Sequence, residues 1–189
     1  SYFKTEVFDY ILINNISASY KATLNLINNG HQEIGYLHSS VYINNFRDRK
    51  RGYREALEDN NIKYLPEYEY KVKSTLEGAY ADMKALLKSR TKNLPSAFFA
   101  DNDIIAFGAM QALNEYRIKI PDDVSIIGFD DMPFCEISNP RLSTIRVFKE
   151  DMGKLAVDRL LEKITDKDNV NQKIELGTEL IVRDSVLKK

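Results

Sequence analysis

An alternation of short apolar runs with segments of helical periodicity most strongly constrains the fold of this 189-residue chain. It is clearest between residues 95 and 131, where the apolar runs 97–100 and 124–127 flank a segment whose apolar residues recur at helical spacing. Strands that are buried on both faces of a parallel sheet have this continuous apolar character. The stretch therefore predicts one β-α-β unit.

The helix of this unit is expected to begin after three consecutive polar residues, Asp101, Asn102 and Asp103. Short Asp and Asn side chains can accept hydrogen bonds from the free N–H groups of a first helical turn. We expect Asp101 or Asp103 to provide this cap, which leaves the Asn102 amide for other contacts.

The same alternation continues along most of the chain. Strands are predicted at 10–13, 33–37, 64–72 and 173–182, with an extended segment at 142–147, and helices at 17–29, 45–60, 75–88 and 149–164. This order favours an α/β fold in which helices cover both faces of a parallel sheet.

Hydrogen-bonding side chains follow two successive strands of the predicted sheet. Asp101, Asn102 and Asp103 come after the first, and Asp130 and Asp131 come after the second. The carboxyl ends of parallel strands meet at one edge, and open α/β sheets bind ligands there. The sequence therefore predicts a ligand-binding edge. The alternative is that these residues only form turns and helix caps.

Composition excludes several classes of protein. Lys and Arg number 27 against 28 Asp and Glu, so the formal charge of −1 provides no overall positive field for DNA binding by this segment alone. The single cysteine, Cys135, excludes an internal disulfide. No apolar run approaches the roughly 18 residues of a membrane span. The first residues lack signal-peptide character, and together these features predict a cytoplasmic protein.

Enzyme motifs are missing from the sequence. There is no G-x-G-x-x-G, P-loop or G-x-S-x-G pattern, and His31 and His38 have no companions at metal-ligand spacing. The carboxylate pairs at 101/103 and 130/131 could form a hydrolase or cation site, but neighbouring Asp residues at strand ends commonly form caps and turns. We therefore predict a protein that is not an enzyme, with no cofactor and no metal site.

Several short motifs, in a fixed order, resemble one family of proteins. They are Gly30-His31 before the strand 34–37, Arg49 with Gly52-Tyr53, Pro95-Ser96-Ala97 leading to Asn102-Asp103, the run 121–131, Pro140 with Leu142-Ser143-Thr144-Ile145, and the segment 180–185. Over residues 10–186 they resemble the effector-binding core of transcription regulators of the lactose-repressor and galactose-repressor (LacI/GalR) family.

The resemblance implies the type I periplasmic-binding-protein-like fold, in which two α/β lobes are joined by crossover strands. Residues 15–142 and 171–189 would form a complete carboxy-terminal lobe that binds effector and dimerises. Residues 1–14 and 143–170 would be a remnant of the amino-terminal lobe. The family's helix-turn-helix domain is expected to be absent from this chain, so operator DNA would be bound only through that missing domain.

The resemblance also implies which residues contact the effector. Asp130, Asn102 and Arg49 correspond to the family's usual contact positions, and Asn15, at another strand end, is a fourth candidate. The alternatives are a turn residue for Asp130 and Asn15, a helix cap for Asn102 and a solvated surface arginine for Arg49. Asp130 can accept hydrogen bonds from hydroxyl groups, and a guanidinium donates in a rigid fork.

Two residues depart from the family pattern. Lys73 stands where the family often has an aromatic residue that stacks on the effector. We expect its side chain to be exposed, and the alternative is that it binds an anionic effector. Arg117 stands where the family generally ends a helix with glycine, so a positive φ is predicted for Arg117.

The expected function is the effector-binding, dimerising core of a regulator that responds to a small molecule by closing its lobes, and the expected class of small molecule is a carbohydrate. The dimer face would use helices 75–88 and 103–116 and the loop around Phe134 and Ile137. Alternatively, those two apolar side chains could tuck under their own lobe. The alternative function is that of a ribose-binding-type solute-binding protein, which shares the two-lobed fold.

Overall fold

The computed structural model describes residues 8–89, 94–165 and 170–189. Its strands are β1 (Tyr10–Ile13), β2 (Ile34–Ser39), β3 (Glu69–Val72), β4 (Ala97–Ala100), β5 (Ser125–Asp130), β6 (Ser143–Val147), β7 (Lys173–Leu176) and β8 (Thr178–Ile181). Its α-helices are α1 (Asn15–Asn28), α2 (Asn44–Asp59), α3 (Leu76–Ser89), α4 (Asp103–Glu115), α5 (Phe134–Ile137) and α6 (Lys149–Thr165).

Six of the strands form one sheet in the order β3-β2-β4-β5-β6-β8. The strands from β3 to β6 are parallel to their neighbours, and β8 runs antiparallel to β6 at the edge. The predicted peripheral strand 64–72 is shorter than expected, since a 3-10 turn at Pro66–Tyr68 precedes β3. The mixed α/β class with a mostly parallel sheet is confirmed.

Helices cover both faces of this sheet, as predicted. Successive side chains of a strand point to opposite faces, and β4 shows the result. Phe98 packs in the core beneath α3 and α4, whereas Phe99 packs in the core beneath α1 and α2. Both rings are fully buried. The continuous apolar run 97–100 therefore reflects two cores that share one strand.

The predicted strand 173–182 is wrong in one respect, because it consists of two strands on either side of Gly177. β7 pairs in parallel with β1 in a separate two-stranded sheet, whereas β8 pairs with β6 in the large sheet. An alternating pattern predicts an extended backbone but does not identify the pairing partner.

The strand pairing also departs from the predicted lobe boundaries. β6 was assigned to the amino-terminal remnant yet lies in the large sheet, and β7 was assigned to the carboxy-terminal lobe yet pairs with β1. The division of the chain into lobes otherwise stays a prediction. Residues 1–7 and 166–169 of the predicted remnant lie outside the described residues.

The ends of α2 and α4 have the same geometry. Asn61 follows α2 with φ of 56° and Arg117 follows α4 with φ of 58°, so the positive φ predicted for Arg117 is confirmed. In each case the next N–H bonds back over the last turn, from Ile62 to the Leu57 carbonyl and from Ile118 to the Leu113 carbonyl. This is the Schellman arrangement, which glycine usually completes.

Helix α6 is the least covered helix of the described chain. Apolar side chains that would be expected in a core lie exposed along it, namely Val157, Leu160, Leu161 and Ile164. Its buried residue is Arg159, whose guanidinium pairs with Asp9 and Glu162. No helix among the described residues is long and apolar enough to cross a membrane.

Candidate functional site

The carboxyl ends of β4 and β5 form the edge at which the ligand site was predicted. β5 ends at Asp130, and the chain then turns sharply, with φ of 108° at Asp130 and 47° at Asp131. The Asp131 carboxylate is held from two sides, by Arg146 Nε at 2.7 Å and Arg183 Nη2 at 2.8 Å. Asp131 therefore fixes the turn, and the Asp130 side chain lies at the edge with about a third of its surface exposed (32%).

Arg49 is buried, although the sequence alone would place an arginine of an amphipathic helix in solvent. Only 4% of its surface is exposed. Its Nε donates a hydrogen bond to Asn15 Oδ1 at 2.8 Å, and its Nη1 donates to the Asp101 carbonyl. The guanidinium carbon lies 3.5 Å from the ring centre of Phe129, which adds a cation–π contact from below. The side chain of Arg49 is therefore fixed in one orientation.

The remaining end of this guanidinium lies beside Asp130. Arg49 Nη2 is 3.6 Å from Asp130 Oδ1, which is an ion pair but is longer than a hydrogen bond. Burial raises the pKa of Asp130, and the charges of Arg49 and Lys149 act in the opposite direction. Burial lowers the pKa of Arg49, opposed by Asp130 and Asp101. The edge thus presents a donor and an acceptor next to each other.

Asn15 supports Arg49 from the first residue of α1. Its side chain is buried, with Oδ1 accepting from Arg49 and Nδ2 donating to the Ile13 carbonyl at 3.3 Å. The sequence predicted Asn15 as an effector contact and did not reveal this positioning role. Direct contact between Asn15 and an effector stays a prediction.

Asn102 caps α4. Its Oδ1 accepts a hydrogen bond from the Ile105 N–H at 2.9 Å, so the expectation that Asp101 or Asp103 would cap this helix is wrong. Both of those carboxylates are buried and bind other partners. The amide nitrogen of Asn102 makes no hydrogen bond to the described residues. Contact between that nitrogen and an effector stays a prediction.

Asp101 lies under the Arg49 side of the edge. Its carboxylate accepts hydrogen bonds from the Tyr36 hydroxyl and from the Ser39 N–H, the latter at 2.7 Å. Burial raises the pKa of Asp101 to about 6, against the opposing effect of these hydrogen bonds and of Arg49. The carboxylate therefore ties the end of β2 to the start of the β4–α4 junction.

Asp103 has the corresponding role on the opposite face of the sheet. Its carboxylate accepts from Thr144 Oγ1 at 2.6 Å, from the Met132 N–H at 2.8 Å and from Cys135 Sγ at 3.1 Å. Burial raises its pKa to about 6. A Cβ on Gly128 would lie 2.2 Å from Asp103 Oδ1, so this strand position requires glycine. An isolated glycine within β5 was the one sequence signal of this contact.

An apolar groove of about 670 Å³ lies where α3, α4 and α5 meet. Its apolar lining comprises Leu76, Ile104, Phe107, Met132, Phe134 and Ile137. Phe134 and Ile137 are 60% and 76% exposed, so the alternative that they tuck under their own lobe is wrong. The use of this face for dimerisation stays a prediction. Lys73, as expected, is exposed.

Metal binding has no support among the described residues, where no group of three or more His, Cys, Asp or Glu side chains could hold an ion. Both carboxylate pairs that suggested a cation or hydrolase site contain side chains that are bound by other protein groups. Asp101 and Asp103 serve opposite faces of the sheet, and Asp131 is neutralised by two arginines.

Comparison with known proteins gives the family. The model of the periplasmic binding protein-like domain matches residues 23–186. The chain is 35% identical over 180 residues to the HTH-type transcriptional repressor PurR of Mannheimia succiniciproducens, covering 95% of this chain and 53% of the relative. It is 36% identical over 176 residues to a protein named probable HTH-type transcriptional repressor ExuR of Bacillus subtilis, covering 93% and 52%. The chain thus spans about half the length of these curated relatives.

Solved structures give the same result. A LacI family regulator from Enterococcus faecium with bound ribose is 27% identical, with a TM-score of 0.85 over 96% of this chain and 66% of that one. The complex of the regulator CelR with cellobiose is 29% identical, with a TM-score of 0.87 over 95% and 54%. A sugar-binding LacI family regulator from Escherichia coli complexed with phosphate is 31% identical, with a TM-score of 0.84 over 95% and 63%.

The curated relatives are named as transcriptional repressors and not as enzymes or solute-binding proteins. This supports the regulator over both alternatives considered from the sequence. The chain belongs to the periplasmic binding protein-like domain family and is an effector-binding domain of the LacI/GalR regulator type.

Proposed function

We propose that this chain is the effector-binding core of a cytoplasmic, sugar-responsive transcriptional repressor. One observation carries the proposal. The buried Arg49 is fixed by Asn15, Asp101 and Phe129, yet its Nη2 lies 3.6 Å from the part-exposed Asp130 carboxylate. A charge is costly to bury, and a surface arginine would not need such support.

Neighbouring hydroxyl groups of a carbohydrate are suitable partners for this pair. Each hydroxyl can donate to the Asp130 carboxylate and accept from the Arg49 guanidinium, and hydrogen bonds to charged groups are the stronger kind. The Asn102 amide nitrogen would add a donor beside them. The relatives with bound ribose and cellobiose support a carbohydrate as the class of effector.

The regulatory step follows from linkage. The effector would bind between this lobe and a second lobe and would shift their closure, which requires that it bind the two lobe arrangements with different affinity. Two copies would associate through the apolar groove lined by Phe134 and Ile137, and operator DNA would be bound by another domain of the whole protein. An exposed apolar surface of this kind is typical of an interface.

The site is tested by calorimetric titration of the full-length protein with a panel of pentoses, hexoses and disaccharides, followed by the variant Asp130→Asn. Asn tolerates positive φ, so the fold is retained while the charged acceptor is lost. We expect affinity for the bound sugar to fall at least about tenfold. The exposed Asp122→Asn is the matched control and should bind as the wild type does. Unchanged affinity in Asp130→Asn would contradict the site.

The dimer is tested by replacing the two exposed side chains of the groove with the double variant Phe134→Asp, Ile137→Asp. Light scattering should show dimers for the wild type and monomers for the variant, because two buried charges oppose association. Val182→Asp, which changes another exposed apolar residue (59%), is the control and should remain dimeric. If the double variant remained dimeric, the groove would not be the dimer interface.

A further inference from the structure

A second cavity, of about 270 Å³, opens at the carboxyl ends of β2 and β3. Its apolar wall is formed by the segment between β2 and α2 and by the first turn of α2, namely Val41, Tyr42, Ile43 and Phe46. Asp101 joins this cavity to the Arg49 edge, because it is one of the lining residues and its carbonyl accepts from Arg49. The cavity is therefore the direct neighbour of the candidate effector site.

Cationic side chains outnumber acidic ones in the lining. Arg47, Lys50 and Lys71 line the cavity, and Asp101 is the acidic residue among the described lining residues. The Asp101 carboxylate is already bonded to the Tyr36 hydroxyl and the Ser39 N–H, so its negative charge is stabilised from within the protein. A pocket whose lining carries more cations than anions favours the entry of a negatively charged group.

Lys71 is the cation of this set that has no partner among the residues that the structure describes. Lys50 pairs with Glu69 and Arg47 pairs with Asp48, whereas the Lys71 ammonium makes no hydrogen bond or ion pair with any described residue. Its position is set by the sheet, where Lys71 on β3 lies opposite His38 on β2 in the parallel register. Burial lowers the pKa of His38, and the charges of Lys50 and Lys71 act in the same direction.

The start of α2 reinforces the positive potential. Its N-cap residue is Ile43, which makes no side-chain capping hydrogen bond, and the first turn contains no acidic residue. Uncapped N–H groups and the helix dipole both favour a negative group at this end of a helix. Ile43, Phe46 and Arg47 of this helix start all line the cavity.

We propose that this cavity binds an acidic group, a carboxylate or a phosphate, carried by the effector, with Lys71 as its main ion-pair partner. The inference rests on the proposed function and narrows it, since the effector would be an acidic sugar derivative instead of a neutral sugar. The apolar wall of Tyr42 and Phe46 would cover the C–H face of the ring, which is the usual division of labour in small-molecule sites.

Calorimetry of the full-length protein with matched pairs of compounds tests this. The pairs are glucose with glucuronate and with glucose 6-phosphate, galactose with galacturonate, and ribose with ribose 5-phosphate. We expect at least one acidic compound to bind about tenfold or more tightly than its neutral parent. This preference should shrink as salt is raised, since salt screens charges near the surface. The pairs separate carboxylate from phosphate as the preferred group.

Two lysine variants test whether the preference for acidic compounds arises in this cavity. Lys71→Met keeps the apolar stem and should bring the acidic and neutral partners to similar affinity. Lys63→Met, which changes an exposed lysine that precedes β3 and does not line the cavity, should leave the preference intact. Thermal unfolding of both variants should match that of the wild type, because both residues are exposed.

Three results would overturn the proposal. If neutral sugars bound as tightly as their acidic partners, the proposed binding of an acidic group would be wrong, whereas the proposed function would be unaffected. An acidic preference that survives in Lys71→Met would place the anion elsewhere. Failure of the folded protein to bind any of these compounds would count against the proposed function and, with it, against this inference.

Discussion

At the carboxyl edge of the six-stranded sheet, the two faces carry different kinds of side chain. On the face covered by α1 and α2, a charged side chain is buried, with Arg49 held over Phe129 by Asn15. On the face covered by α3 and α4, the edge opens into an apolar groove in which Phe134 and Ile137 are exposed. One face is built to orient a polar group, and the other presents a surface without a partner among the described residues.

A single strand–helix junction supports both faces. Asp101 and Asp103, two residues apart, send their carboxylates to opposite sides of the sheet. Asp101 binds Tyr36 and Ser39 beneath Arg49, and Asp103 binds Thr144, Met132 and Cys135 beneath the turn that leads to α5. The donor–acceptor edge and the apolar groove therefore depend on the same β4–α4 junction, although one is polar and the other apolar.

The largest effect is expected from truncating the carboxylate on the groove side. Asp103→Ala leaves three donors without their acceptor. It should lower the free energy of unfolding by about 3 kcal/mol, as measured by urea denaturation. Asp101→Ala leaves two donors and should cost less. The exposed Asp122→Ala is the control, within about 0.5 kcal/mol of the wild type. A larger loss for Asp101→Ala would reverse the comparison.

The next largest loss of stability is expected from a substitution at Gly128, which packs against the Asp103 carboxylate. Gly128→Ala would bring a methyl group to 2.2 Å from Asp103 Oδ1 and 3.0 Å from Leu142 Cδ2, and should destabilise the protein by about 2 kcal/mol. In the Asp103→Ala background the obstructing oxygen is gone, so the added cost should shrink. A double-mutant cycle by urea denaturation measures this coupling. Simple additivity would show that Gly128 is needed for another reason.

The sequence predicted the groups at this edge better than their roles. The strand-end position predicted Asp130 at this edge, whereas Arg49 was proposed there mainly on the family resemblance, and the structure places the two side chains beside each other. Burial of Arg49 was not predictable, since it depends on Phe129, Asn15 and the Asp101 carbonyl, which come from distant segments. Periodicity places a residue on a face but does not identify its partners.

The sequence also could not show which of three neighbouring polar residues would cap α4. Asp101, Asn102 and Asp103 are all acceptable helix caps, so local preference could not choose among them. Asn102 became the cap because partners across the sheet, such as Ser39 for Asp101 and Thr144 for Asp103, bind the two carboxylates. The division of 173–182 into β7 and β8 has the same origin, since pairing with β1 or β6 is decided by long-range contacts.

The two buried carboxylates should also respond to pH. Both have a pKa of about 6, raised by burial from the ordinary 3.8. The folded protein therefore holds their protons more tightly than the unfolded chain, and their contribution to stability falls as pH rises from about 4 to about 6. Asp103→Asn and Asp101→Asn cannot titrate.

Urea denaturation between pH 4 and 7.5 measures this response. Each Asn variant should gain stability relative to the wild type as pH rises to about 6, with no further relative change above about pH 7. Asp122→Asn should follow the wild type throughout. A relative loss for the Asn variants over that range would mean that the hydrogen bonds, and not burial, dominate the pKa of these carboxyl groups.

The smallest effect concerns the helix ends on the two faces. Asn61 ends α2 and Arg117 ends α4 with nearly the same positive φ, 56° and 58°. Asn tolerates this region, whereas an arginine there costs on the order of 1 kcal/mol. Arg117→Gly should therefore raise the free energy of unfolding by up to about 1 kcal/mol, partly offset by the greater freedom of glycine in the unfolded chain. Asn61→Gly should change it by only about 0.3 kcal/mol. Urea denaturation measures the free energy of unfolding of both variants. Equal changes would show that arginine at this positive φ costs no more than asparagine.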